Sequence, residues 1–334
     1  FGLVSLMFLD TSINMAMQPF KMMVGDMVNE KQKGLAYSIQ SFLCNAGSLV
    51  GFLFPFIFTW IGISNIAPQG VVPDSVIYSF YIGAAILILC VIYTTVKVKE
   101  MPPAEYAEYH GITEEEEKEK INMVKLLIKA PKAFWTVGLV QFFCWFAFMF
   151  MWTYTNGSVA ANVFDAPTVE TAVNGVSKVM LDTKSIQYQD AADWVGVLFA
   201  VQAIGSVLWA VCIPLFKDRK LIYSLSLVLG GLGFISTYFV HNQYVLFISF
   251  LLIGCAWAAM LALPFTILTN ALSGGHMGTY LGLFNGTICI PQIVAASLGG
   301  SILALFTPKG MLPPEINMLV MAGVMLIIGA VCVY

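Results

Sequence analysis

One carboxylate stands where lipid should be. Asp10 lies inside the first apolar stretch, about a dozen residues before the charged exit at Lys21 and Asp26. At 1.5 Å per residue that is roughly 18 Å deep, near the middle of a bilayer. Asn14 and Gln18 follow at steps of four, so the three side chains form one polar stripe along one helix face, expected to turn toward the protein interior. An ionisable group costs several kcal/mol at that depth and persists where it meets a cavity or a partner. Two chemistries suit it. It takes up and releases a proton while the amides hold a polar solute, or it bonds neighbouring helices together.

Other spans carry polar groups in the same manner. The second has Gln40, Ser41, Asn45 and Ser48, beside Gly47 and Gly51 at a small-residue spacing that suits close helix packing; Asn45 fits either packing or the lining of a solute path. The eighth has Asn285 and Gln292 seven residues apart, hence on one face, with Pro291 loosening the backbone; Pro264 stands similarly near Thr266 and Thr269 in the seventh. The fourth ends in Gln141, Trp145, Phe146, Trp152, Tyr154, Thr155 and Asn156. Trp152 and Tyr154 are expected in an interfacial aromatic belt. Trp145 is deeper, and its ring fits either a sugar face or a Phe-rich core.

No enzyme site assembles from these residues. His110, His241 and His276 fall in loops, and no HExxH, GxSxG or Walker-type glycine loop is present. The seven cysteines (Cys44, Cys90, Cys144, Cys212, Cys255, Cys289 and Cys332) lie in apolar stretches without a CxxC pair, so they read as packing residues, with no metal or cofactor expected.

The elements that must position these groups follow from composition. Of 334 residues, 59% are apolar and 10% charged, against about 25% charged in a soluble domain. That excludes a soluble globular protein, and a net charge of -3 leaves no basic footprint for nucleic acid. Segments of about 20 residues, long enough for a hydrocarbon core of roughly 30 Å, fall near 1–24, 36–60, 76–96, 133–155, 192–216, 221–240, 244–270, 279–306 and 316–334.

Basic residues near segment ends tend to stay cytoplasmic. With Phe1 outside, Lys21, Lys31, Lys33, Lys97, Lys99, Lys118, Lys120, Lys125, Lys129, Lys132, Lys217, Arg219 and Lys220 are inside, and Lys178, Lys184 and Lys309 outside. Thirteen against three puts the carboxyl end in the cytoplasm of a multi-pass protein of the cell membrane. Residues 97–132, with the run Glu114 to Glu117, read as a cytoplasmic linker between a partial N-terminal half (1–96) and a six-helix half (133–334). Residues 156–191 form an external excursion. Because Phe1 already stands in an apolar stretch, three helices are expected ahead of it in a twelve-helix, two-half carrier.

Three blocks carry a family resemblance. FLDTSINMAMQPFKMMVGDMV with NEKQKGLAYSIQSFLCNAGSLVG resembles the fourth and fifth helices of the sucrose and related glycoside transporters of the major facilitator superfamily, a group allied to the glycoside-pentoside-hexuronide symporters. VQFFCWFAFMFMWTYTNG resembles that family's seventh helix, and LALPFTILTNALSGGHMGTYLGLFNGTICIPQIVAASLGG its tenth and eleventh. The resemblance implies an all-α membrane fold, nine of twelve helices present, and proton-coupled uptake of an alpha-glucoside such as sucrose or maltose by alternating access. It matches Asp10 and Asn14 to the family's fourth-helix aspartate and the asparagine after it, and Asn45 to its fifth-helix asparagine. Plant members carry acidic residues at the outer end of the seventh helix, where this chain has Tyr154 and Asn156; Lys217-Asp218-Arg219-Lys220 keeps a remnant of the superfamily's Asp-Arg motif.

The expected protein is thus a monomeric carrier in the lipid bilayer, with a small sugar and a coupling proton as partners. Asp10 would carry the proton, with Asn14, Gln18, Gln40, Asn45, Trp145, Asn285 and Gln292 near the solute path. The alternatives are a sodium-coupled or exchange carrier for another solute, and a non-transporting receptor or scaffold.

Overall fold

The computed structural model describes residues 2–29, 31–63, 72, 74–102, 105, 108, 123–173, 176–272, 277–308 and 310–334. The acidic run Glu114 to Glu117, His110 and His276 lie outside the described residues.

The chain is a succession of long helices. In order they are α1 (Gly2–Met27), α2 (Lys33–Trp60), α3 (Asp74–Lys97), the short linker helix α4 (Met123–Ile128) and α5 (Lys132–Asn162). A hairpin of β1 (Thr168–Val173) and β2 (Val176–Leu181) follows, then α6 (Ile186–Cys212) with a 3-10 turn at Ile213–Leu215, α7 (Arg219–Ser236), α8 (Leu246–Ala271), α9 (Met277–Phe284), α10 (Gly286–Phe306) and α11 (Ile316–Val331). Among the described residues, six helical stretches are long and apolar enough to cross a membrane: α3, α5, α6 with its 3-10 turn, α7, α8 and Gly278–Phe306. Together with α1, α2 and the 16-residue apolar α11 they match the nine expected segments.

Helix ends follow their local chemistry. Pro131, with no N–H to lose, stands at the start of α5 with extended ψ 152°. Asp218 accepts from the amides of Lys220 and Leu221 at 2.9 and 3.1 Å, which begins α7 and ends the pass before it. Ser185 does the same for α6 through Tyr188. α5 runs to Asn162, so the excursion beyond it is mostly the antiparallel hairpin, registered from Thr168 opposite Leu181 to Val173 opposite Val176. Asn174-Gly175, the dipeptide suited to such a turn, is its sequence signal.

Helices α5 to α11 pack into one core. Lipid drives helices together only weakly, so close contact depends on small residues at the crossings. A Cβ on Gly205 of α6 would come 2.5 Å from the carbonyl oxygen of Leu251, and one on Gly254 of α8 would strike that of Gln202. Gly231 and Gly323 meet the same way between α7 and α11, at 2.9 Å and 2.6 Å from each other's carbonyl. Gly47 and Gly51 of α2 do not: a Cβ on either meets nothing within 4 Å, so their spacing is not a packing seam here.

The N-terminal helices are more open. α2 packs on α6 and α8 and so joins the two halves, whereas α3 rests chiefly on α2 and is exposed along almost all its length. α1 touches α2 and α9 near its own C-terminal end, where Met22 lies against Gly278. All seven cysteines are free thiols; Cys144 and Cys255 are buried in the packing, Cys212 and Cys332 partly so, and Cys44, Cys90 and Cys289 are exposed.

Candidate functional site

The stripe on α1 faces open space rather than packed protein. Asp10 is exposed and Asn14 half-buried, because α1's contacts lie toward its other end. Asn14 donates to the backbone carbonyl of Asp10 at 2.9 Å, which leaves the carboxylate untouched by it. Gln18 holds its place four residues on along α1, and its side chain is not among those described. Asp10 lies within electrostatic reach of Cys289 on α10, and Asn285 Nδ2 lies 3.8 Å from Cys289 Sγ. Gln292, half-buried, lies two turns beyond Asn285 on α10.

The helix is interrupted at Asn285 itself, six residues ahead of Pro291. There the Asn285 amide is shared between the carbonyls of Leu281 and Gly282, both at 3.2 Å, a tightened turn that divides α9 from α10. Broken helices at membrane depth are tolerated where they line a cavity or are buried in protein.

On α2, Ser41 donates to the carbonyl of Ala258 on α8 at 3.2 Å and so ties the halves. One turn later Asn45 is fully buried; its Nδ2 donates to the Ser41 carbonyl at 2.7 Å, while its Oδ1 has no protein partner. Gln40 Nε2 is likewise buried without one. Orphaned polar atoms of this kind cost about 1–3 kcal/mol each, so two on one helix need a physical reason.

Trp145 sits at the base of an aromatic platform that its sequence position only half revealed. Its indole Nε1 donates to Gln141 Oε1 at 2.6 Å, and its ring centroid lies 6.3 Å from Trp152 and 5.8 Å from Trp257. Trp152 and Trp257 are 5.7 Å apart. Trp152, expected as a membrane anchor, shares a helix face with Trp145 seven residues earlier and closes this triangle. Tyr154, expected in the same belt, is instead buried, edge-on to Phe150 at 5.5 Å, with its hydroxyl against Gly299 of α10. Trp257 was missed, since an isolated Trp among small residues of α8 shows no partner until helices cross.

Gln141 was also missed as a positioning group. Pro264 has no N–H, so the carbonyl of Met260, four residues back, lacks its helical donor. Gln141 Nε2 supplies that bond at 3.0 Å and also lies 3.2 Å from the hydroxyl of Tyr223. The same side chain therefore mends the Pro264 break and fixes Trp145. Thr266 and Thr269, paired with Pro264 in the sequence, donate to carbonyls of their own helix at 2.9 and 2.7 Å.

The C-terminal end of α5 lies against a carboxylate that residue spacing did not single out. Glu315, just before α11, lies against Gly157 so closely that any Cβ there would strike it. Burial pushes the Glu315 carboxyl up to about 7.

The whole arrangement resembles solved transporters. The structure superposes on that of FucP, a Major Facilitator Superfamily transporter in the outward conformation, with a TM-score of 0.63 at 13% identity over 93% of this chain and 71% of that one. A second structure, of a variant of the E. coli fucose:proton symporter FucP, gives 0.60 at 13% identity over 93% of this chain and 72% of that one. At such identity the likeness is one of fold. No curated protein matches the sequence closely enough to be a relative. The sequence profile of the Major Facilitator Superfamily matches residues 3–177, more than half the chain. Built of long apolar helices, the chain belongs to the Major Facilitator Superfamily and is a multi-pass membrane transporter, not an enzyme.

Proposed function

We propose that the protein is a proton-coupled carrier of a small sugar, with an alpha-glucoside such as sucrose or maltose as its substrate, working by alternating access. The reading is supported above all by Asp10, a carboxylate inside the apolar α1, within electrostatic reach of Cys289 at the polar start of α10. A proton on Asp10 removes its charge, and the loaded carrier then reorients without exposing a carboxylate to lipid. Asn45 Oδ1 and Gln40 Nε2 offer a hydrogen-bond acceptor and a donor that sugar hydroxyls complete. The tryptophan platform suits the C–H face of a pyranose ring. One fold neighbour is a fucose:proton symporter, in agreement with a sugar and a proton as the moving pair.

The basic-residue count orients the chain with its carboxyl end in the cytoplasm. In this reading α1 to α3 belong to an N-terminal half whose other helices cover the faces that α1 and α3 leave open. The carrier would act as a monomer, its partners a small sugar, a proton and the bilayer.

The test is uptake into proteoliposomes of labelled sucrose and maltose, with proton and sodium gradients imposed separately. Accumulation driven by the proton gradient and abolished by Asp10→Asn, with exchange of sugar for sugar retained, is the expected result. Undiminished gradient-driven accumulation in that variant sinks the proton-carrier role. Accumulation that follows sodium instead transfers the coupling, and binding without any flux turns the protein into a receptor.

A further inference from the structure

Where α5, α10 and the start of α11 meet, the chain holds a carboxylate in a fixed place. Pro313 and Pro314 precede Glu315, whose amide donates to the Pro313 carbonyl at 2.9 Å, and beyond it Ile316 and Leu319 are buried in the core. The half-buried side chain is thereby directed at α5, where Cδ and both oxygens fill the space that a Cβ on Gly157 would take. One turn earlier on α5, the Tyr154 hydroxyl fills a similar space on α10: a Cβ on Gly299 would come 2.5 Å from it. Glu315 and Tyr154 lie within electrostatic reach of each other. Two glycine notches thus set the spacing of three helices at this end, and one of them is filled by a group that can change its charge.

A carboxyl seated there gives up water for helix backbone and a phenol, so its neutral form suits the notch better than its ionised one. The burial that pushes this group up to about 7 agrees. The other titratable groups around this end are Tyr154 on α5, Asp165 just beyond α5, and His241, whose Nδ1 lies 3.2 Å from the Asn162 carbonyl. From Gly299 onward α10 carries none, and neither does α11. Lys309, in the loop between them, lies outside the described residues.

We propose that Glu315 is a second proton-binding group, separate from Asp10, whose proton keeps the carboxyl seated against Gly157 and whose loss withdraws it toward water and frees the end of α5. Trp152 lies five residues before Gly157 on that helix, so the tryptophan platform shifts when the end of α5 is freed. In the orientation proposed above this is the outer side, from which proton and sugar enter. That side, though not the proton binding, rests on the transport reading.

The test uses the full chain in phosphatidylcholine nanodiscs, without sugar, titrated from below 4.5 to well above 7. Difference infrared spectroscopy should show a protonated-carboxyl band that disappears with a midpoint near 7 and is missing from Glu315→Gln. Tryptophan fluorescence should follow the same midpoint in the unchanged protein and stay flat through it in Glu315→Gln, whose amide copies the neutral carboxyl in size. Gly157→Ala, which expels the carboxyl from its notch, should move the midpoint toward 4.5. If that variant fails to fold on size-exclusion chromatography, Glu315→Asp, one methylene too short for the notch, should show the same movement. Asp10→Asn, His241→Gln and Lys309→Gln should keep both the band and its midpoint. A band with a midpoint near 7 that survives Glu315→Gln overturns the proton site, as does a midpoint near 4.5 in the unchanged protein. A midpoint that stays in the notch variants, or that moves in His241→Gln or Lys309→Gln, overturns the notch as its cause. Loss of the band in Glu315→Gln with fluorescence titrating as before overturns the link to the platform. Neither readout uses flux, and Asp10→Asn is a control, so failure of the transport reading is distinguishable from failure of this site.

Discussion

Helices α5 to α11 and helices α1 to α3 solve the same problem in different ways. In the first group, buried glycines let backbones approach until carbonyls nearly touch, and a buried polar side chain, Gln141, finds partners within the group. In the second, α3 is exposed along almost all its length, Gly47 and Gly51 pack against nothing, and Gln40 and Asn45 keep unpartnered polar atoms. One group is closely packed, with Asn156 Oδ1 of α5 its single buried polar atom without a protein partner among the described residues. The other keeps polar atoms of α2 unpartnered, where in the proposed function a solute is bound and released.

The sharpest way to break this contrast is at the α6–α8 crossing. Gly254→Leu should prevent the helices from meeting, with loss of folded protein on size-exclusion chromatography, while Gly254→Ala already costs about 1–3 kcal/mol of overpacking seen as a lower melting temperature. A full melting temperature in Gly254→Ala would mean that the bundle is looser than its glycines imply.

Gln141→Leu comes next. It leaves the Met260 carbonyl, the Tyr223 hydroxyl and the Trp145 indole without this partner, and about 1–3 kcal/mol should be lost. Trp fluorescence should change with it, since the platform loses its fixed corner; an unaltered spectrum would separate Gln141 from the platform.

Glu315 predicts a smaller and pH-dependent effect. Its folded carboxyl titrates at about 7, above the ordinary 4.5. The folded state therefore binds the proton more tightly than the unfolded one. The associated stability is fully present below pH 4.5, and it is lost as pH rises through about 7. Melting temperature measured across that window should fall in the unchanged protein and stay flatter in Glu315→Gln; identical slopes would dissociate the pH response from this group.

The smallest expected change is on α2. Gly47→Ala meets no neighbour and should leave stability within about 0.5 kcal/mol, with the gain in helix propensity as its main consequence. A substantial loss would show that α2 is packed there after all, and would erase the contrast.

Much of the fold was legible in the residues because lipid imposes one strong rule: backbone groups must be satisfied within the helix, so each apolar run of sufficient length becomes one. Asp218 and Pro131 marked helix starts by local chemistry. The hairpin was less visible, since its strands are only six residues each and Asn174-Gly175 is the turn signal between them. The candidate site was legible one helix at a time. Asp10 and Asn285 each stood out as polar groups in apolar surroundings, but nothing in their spacing joined them.

By itself the sequence determined a membrane protein of long helices, a basic end and an isolated carboxylate in a span, because hydropathy, charge placement and capping act within a few residues. Only the tertiary structure decided which glycines are seams, that Gln141 answers the Pro264 break, that Trp145, Trp152 and Trp257 form one platform, and that Glu315 reaches the end of α5. These depend on contacts between helices far apart in the chain. In a bilayer such contacts come from shape and hydrogen bonding at each crossing, which local residue patterns do not encode.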